Sequence, residues 1–167
     1  QGMFYMSEVG SETQWIDSYD MKPPVKQTGD ANPADPASFS GLVSTGFDSF
    51  IFSLTKDTGD HSNVRGYDKL TGKTVTIDGE PLLQTEFDYE ETDDAGNVLR
   101  KARGHEYIST EFGNFFSGSS EWYDGSTWLP LEGSPRQFIR PGEKGFAATQ
   151  PIFDCDAVMS SLPFVTE

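Results

Sequence analysis

Apolar residues in the middle of this chain recur at every second position, and turn residues interrupt them roughly every 8 to 12 residues. That rhythm restricts the chain to sheet folds, because a helix needs a repeat near 3.6. Phe50, Phe52 and Leu54 share one face, and Ser49, Ile51 and Ser53 the other. Thr74-Val75-Thr76-Ile77 is β-branched throughout, which favours a strand. Asp78-Gly79 after it is a two-residue hairpin signal. In residues 84–91, Thr85, Phe87 and Tyr89 alternate with Glu86, Asp88 and Glu90. Asp93-Asp94-Ala95-Gly96 then turns the chain into a returning strand over 98–108. Asp124-Gly125-Ser126 separates Glu121-Trp122-Tyr123 from Thr127-Trp128-Leu129 as a further hairpin. Residues 137–140 and 146–153 complete the strand candidates, and a short helix is expected near 156–162 with Asp156 as N-cap.

The first 40 residues read differently. Apolar clusters at Phe4-Tyr5-Met6 and Trp15-Ile16 precede Pro23-Pro24, Gly29, Pro33 and Pro36. Proline removes backbone donors and glycine favours turns, so 1–40 is expected to be an irregular N-terminal arm packed on a main domain of residues 41–167. Residues 23–40 are expected to be its least ordered part. For residues 85–107 the expectation is a hairpin turning at Asp94-Ala95, with Asp88 facing Lys101 and Glu86 facing Arg103.

Composition excludes several function classes. The 167 residues carry 27 acids and 12 bases, a net charge of −15, which a phosphate backbone or anionic lipid surface would repel. Nucleic acid is therefore not expected as a partner. Mean hydropathy is −0.52, and no apolar run approaches the roughly 18 residues of a membrane helix, so no membrane span is expected. The single Cys155 forbids an internal disulfide, and Asp154 and Asp156 beside it disfavour a reactive thiolate. Gln1-Gly2-Met3 fits either a mature end left by a signal peptidase or a protease-site scar before an initiating Met3. A periplasmic or secreted location is favoured over a cytoplasmic one. Composition does not fix the oligomeric state.

The catalytic inventory is thin. With only His61 and His105, a three-histidine metal site is impossible, and one cysteine rules out a paired-cysteine zinc site. There is no phosphate-binding loop, dinucleotide glycine pattern or nucleophile elbow. Asp57, Asp60 and Asp68, or Asp30 and Asp35, offer oxygens suited to calcium, but without the spacing of an EF-hand loop. No metal or cofactor is expected. His105-Glu106-Tyr107 is the most chemically suggestive triplet: on a strand His105 and Tyr107 share one face and Glu106 takes the other. Aromatic residues crowd from Phe112 to Trp128. Residues 120–128 resemble the aspartate-turn hairpins of sialidase-type propellers, with an Asp, a Gly and then Thr127-Trp128. Here Gly125 follows Asp124 directly where that pattern has a residue between them, and the motif occurs once. It is read as a hairpin turn with no function carried over.

Together these features predict an all-β antiparallel barrel or closed sandwich of about eight to ten strands, lipocalin-like in outline. The expected function is non-enzymatic binding of a small, partly apolar ligand in an aromatic-lined cavity. The alternatives are a small barrel isomerase or lyase using His105, and a protein- or glycan-interaction module. The expected site gathers Arg100, His105, Tyr107, Trp122 and Trp128. It requires a bulge at Gly104 that brings His105 and Tyr107 onto the Arg100 face, where the arginine would hold a ligand carboxylate.

Overall fold

The computed structural model describes residues 5–21 and 24–148. Within the unit Gln1–Arg136, nine strands form one antiparallel sheet whose spatial order is the order of the chain. They are β1 (Tyr5–Val9), β2 (Trp15–Met21), β3 (Pro24–Gly29), β4 (Phe47–Lys56), β5 (His61–Ile77), β6 (Glu80–Thr92), β7 (Val98–Ser109), β8 (Asn114–Tyr123) and β9 (Trp128–Glu132). A single short helix, α1 (Phe39–Thr45), lies between β3 and β4. The sheet curls into half a barrel. It stops short of closure: among the described residues no pairing joins β1 to β9, and β3 meets β4 over only Gln27–Gly29. No helix among the described residues is long and apolar enough to cross a membrane.

Turn chemistry explains most of the hairpins. Asp78 and Gly79 both have positive φ (49° and 82°), the backbone a two-residue turn between right-twisted strands requires, and Ile77 pairs with Glu80 across it. Between β6 and β7 the Asp93 carboxylate accepts from the backbone N–H of Ala95 and Asn97 and from the Asn97 amide, so the loop closes on Asp93 and Asn97. This loop sets the register. Asp88 faces Arg103, Glu90 faces Lys101 and Glu86 faces His105, a shift from the expected pairs of Asp88 with Lys101 and Glu86 with Arg103. Each acid meets a residue two positions further on, so every side chain keeps its face.

Two opposite faces follow from the registers. Phe50 of β4, Gly66 of β5, Tyr89 of β6, Ala102 of β7 and Trp122 of β8 form one cross-strand row, and this is the concave face. The convex face carries a charge ladder. Glu90 receives Lys101 at 2.5 Å and also Arg65. Arg103 meets Glu121 at 3.0 Å and stacks on Trp128, its guanidinium carbon 4.1 Å from the ring centre. Exposed ion pairs contribute only about 0.2–1 kcal/mol each, so they serve register more than stability. Among the described residues the buried apolar side chains are few: Leu42, Leu54, Val64, Leu82 and Ile108. Much of the remaining aromatic surface lines the concave side and is only half-buried.

Three expectations are corrected. Among the described residues of 1–40 the chain is not an irregular arm, since β1, β2 and β3 extend the sheet there. Strand pairing overrides the proline signal because Pro24 opens its strand, where a missing donor costs least. The stretch 30–38 is tied along the edge of β4, with Asp35 and Ile51 exchanging two backbone hydrogen bonds and Asp30 donating to Ser53. Leu42-Val43 reads in the sequence as the strand-like lead into Phe47–Leu54 but belongs to α1: the Ser38 side chain accepts from Gly41 N–H, and Gly46 ends the helix in a left-handed conformation. In the second unit, which begins at Gln137, residues 137–140 are irregular and 141–147 form turns. Pro135 and Pro141 bracket the expected strand, and each lacks the N–H that a ladder extended past that end would use. The expected helix at 156–162, and 149–153 of the last strand candidate, lie outside the described residues.

Candidate functional site

The concave face of the half-barrel holds an open cavity of about 770 Å3. Each central strand contributes to it by its period-two alternation: Phe50 and Phe52 from β4, Asp68 from β5, Tyr89 from β6, Glu106 from β7 and Phe115 from β8. Phe50 and Phe52 lie with ring centres 5.9 Å apart. The Phe50 ring rests on the bare backbone of Gly66, where an added Cβ would stand 2.6 Å from its Cζ. Phe39 of α1 meets Phe115 edge-on at 5.9 Å, which joins the helix to the cavity's aromatic wall. Trp15 and Ile16 of β2 and the loop residues Ala31 and Pro33 complete the apolar lining.

Phe115 faces inward because of an irregularity in the sheet. Between β7 and β8 the register changes from Gly104–Ser120 to Glu106–Ser117, two steps on β7 against three on β8. The extra residue lies on β8, so inward positions there switch from Ser120 and Trp122 to Ser117 and Phe115. Gly104 makes this possible. Its φ is 147°, and a Cβ would lie 2.5 Å from Ser119 O and from Ser120 Cα.

The cavity is acidic as well as aromatic. Asp17, Asp30, Asp68 and Glu106 line it, against Lys26 as its only base among the described residues. Lys26 is engaged, with its ammonium 2.9 Å from Asp17 Oδ2. Asp68 and Glu106 have no hydrogen-bond or ion-pair partner among the described residues. Burial pushes the Asp68 carboxyl up to about 7, and the neighbouring Asp48 adds to the rise. Burial likewise pushes Glu106 up to about 7, with Asp68 adding repulsion. Asp48 is itself raised, first by burial and then by Asp35 and Glu12, against a hydrogen bond from Ser38 N–H that lowers it. Deeper in the face, Glu91 is only 6% exposed and accepts from Ser62 Oγ and Tyr89 Oη at 2.7 and 2.9 Å.

The five residues expected to form a site are divided between the two faces. Arg100 and Trp122 fall on the concave-facing side, opposite Glu91 and Ala102, but both are exposed and neither lines the cavity. His105 and Tyr107 stay on the other face. The β6–β7 register runs unbroken from Leu83–Ile108 to Glu91–Arg100, so the expected face swap on β7 does not occur. The bulge exists beside Gly104, but its extra residue is on β8. The His105 ring is bound locally, with Nδ1 3.0 Å from Thr85 O. It lines a shallower convex groove of about 460 Å3 with Tyr67, Glu86, Arg103 and Glu121. Trp128 lies beneath Arg103 on that face. Among the described residues no three His, Cys, Asp or Glu side chains converge as a metal site.

The site expected from the sequence leaves out Asp68 and Glu106, yet both carry a signal there. On β7 the face Ala102, Gly104, Glu106, Ile108 is small or apolar except for its acid. On β5 the face Ser62, Val64, Gly66, Asp68, Leu70 shows the same anomaly. A lone carboxylate on an otherwise inward face marks either a buried partner or a site. No family model, no curated protein and no solved structure matches the chain.

Proposed function

We propose that the chain is a non-enzymatic binding protein that takes a small, partly apolar ligand into the concave cavity of its half-barrel. The observation that carries this reading is a cavity of about 770 Å3 walled by Trp15, Phe50, Phe52, Tyr89 and Phe115 and left unfilled by any of them. Rings that are half-exposed in the free protein gain burial when a ligand covers them, at about 25 cal/mol per Å2 of apolar surface. Nile red, a neutral dye that brightens in apolar surroundings, tests this. It should bind saturably at one site. Ala31→Trp, in an exposed loop position that borders the cavity, should fill the space and weaken binding at least about tenfold. Absence of a saturable signal, or affinity untouched by the tryptophan, would refute the reading.

One observation favours a second reading, proton transfer on a bound molecule: Asp68 and Glu106 are both pushed to about 7, where a carboxyl gives and takes protons readily. The histidine that an isomerase or lyase was expected to use lies on the convex face instead. Mass spectrometry of the ligand after incubation separates the two readings, since binding alone returns it unaltered.

A further inference from the structure

We propose that the ligand's apolar body carries a protonated amine, and that the cavity seats this ammonium group between Asp68 and Glu106. The inference rests on the reading of the cavity as a binding site and adds the chemical class of what it binds. Asp68 and Glu106 stand on the two strands that flank β6, both on the concave face. Strands lie about 4.8 Å apart, and the curl of the sheet tilts inward side chains toward one another. The two carboxyls therefore line the cavity from either side of β6, near enough for the Asp68 charge to act on Glu106. Directly below, Thr85 pairs with Glu106 and Phe87 pairs with Asp68.

Thr85 supplies an independent sign. Its side chain is 0% exposed, lies on the same face as Glu106, and has a hydroxyl oxygen with no hydrogen-bond partner among the described residues. A hydroxyl buried this way costs about 1–3 kcal/mol unless something satisfies it. The cavity lining thus presents two carboxyls with no donor assigned to them, and the Thr85 hydroxyl is a third such acceptor, buried behind the lining on the face it shares with Glu106. An ammonium group offers three donors and no acceptor, which complements that set. Rings of Phe50, Tyr89 and Phe115 cover the apolar body, and their faces attract a nearby cation. Among the described residues an anionic head has no free base to meet in the lining, because Lys26 is held by Asp17 and Arg100 is outside the lining.

The other charged groups around the site point the same way. Asp48 from β4 stands directly across from Asp68, with Asp35 and Glu12 beside it in turn. Asp30 and the Asp17–Lys26 pair face the cavity from the β2–β3 side. β6 contributes Tyr89, whose hydroxyl is bound to Glu91, and β8 contributes Phe115. With both carboxyls pushed to about 7 in the empty cavity, an arriving cation pulls them down and completes their ionisation. Amine binding then tightens as pH rises through neutrality and fades only when the amine itself loses its proton, near pH 10.

Calorimetry with naphthylethylamine, naphthylethanol and naphthylacetate, which share a ring system and differ in the head group, tests the proposal on the full chain. At pH 8 the amine should bind at least about tenfold tighter than the alcohol, and the acetate weakest. At pH 6 the amine's advantage should shrink by about tenfold for each carboxyl that must first ionise. In the Asp68→Asn, Glu106→Gln double variant the advantage should disappear while alcohol affinity is kept, which also reports that the variant is folded. Equal affinity of amine and alcohol at pH 8 would overturn the ammonium assignment and leave the cavity as a binding site. So would an amine preference that survives in the double variant. If none of the three probes binds, the binding reading falls together with the proposal.

Discussion

Replacing Gly104 with alanine should lower the thermal unfolding midpoint by about 10 °C, the equivalent of ~3–4 kcal/mol for a chain of this size. Two separate penalties meet at this residue. Its φ of 147° lies where an L side chain is strained, at a cost on the order of 1–3 kcal/mol. The new Cβ would also come within 2.5 Å of Ser119 O and Ser120 Cα. Both are backbone atoms of the paired strand, so relief requires β7 and β8 to separate. Gly125 separates the two effects: its φ is 101°, but nothing lies within 4 Å of a Cβ there. Gly125→Ala should therefore cost only about 1 kcal/mol, several-fold less than Gly104→Ala. The functional consequence is just as specific. The β8 bulge beside Gly104 turns Phe115 inward, so Nile red affinity should fall in Gly104→Ala even below its unfolding midpoint. A midpoint change below about 2 °C, measured by circular dichroism, would contradict this account of the bulge.

The second large effect is a dependence of stability on pH with an unusual sign. Most carboxylates in folded proteins are stabilised as anions, and several here follow that rule. Asp93 is held low by hydrogen bonds from the Asn97 side chain and backbone and from Ala95 N–H. Glu90 is held low by Lys101 and Arg65. Asp68 and Glu106 behave oppositely. Their folded pKa of about 7 exceeds the unfolded value near 4, so between these pH values the folded chain holds more protons than the unfolded one. Stability from these two groups is then fully present below about pH 4 and is lost as pH rises through 7. Each tenfold difference in proton affinity between the folded and unfolded chain corresponds to about 1.4 kcal/mol. Even with the two carboxyls coupled, and each partly reached by solvent, ~4 kcal/mol is at stake between pH 4 and pH 8. The Asp68→Asn, Glu106→Gln double variant should accordingly melt about 8–10 °C above the parent at pH 8. At pH 4, where both groups are largely protonated in the folded and the unfolded chain alike, the two midpoints should nearly coincide. Comparing the proteins at each pH cancels the carboxylates of ordinary sign. Parallel curves, with the same difference at both pH values, would show that these groups are not strained by burial.

How much of this was legible in the sequence depends on the scale of the signal. Strands with strict alternation and short polar turns were readable, because both period and turn chemistry are local. Phe50, Phe52 and Leu54 share the inward face as expected, and Asp78-Gly79 makes the expected turn. What failed was non-local. Pro23-Pro24 reads as a break, yet Pro24 opens an edge-proximal strand whose pairing with β2 is decided by the neighbouring chain. The convex groove at His105 and the concave acids at Asp68 and Glu106 differ only in which side of the sheet curls inward, and curvature belongs to the whole sheet. Local pattern draws attention to the more reactive-looking His105 and Tyr107. The residue between them, Glu106, carries the site proposed here. Gly104 was recognised as a place for a bulge. Its position on β7 or β8 turns on one residue of register between distant segments, which local patterns do not encode.

The concave side of the half-barrel, and not the convex groove around His105, is the binding surface proposed for this chain. Amide chemical-shift mapping during titration of the full chain with naphthylethylamine at pH 8 tests it most directly. Saturable shifts should centre on Phe50, Phe52, Tyr89, Glu106 and Phe115 and leave Tyr67, Glu86 and Glu121 unmoved. Shifts that instead cluster on the convex groove, or that never saturate at any site, would contradict the account.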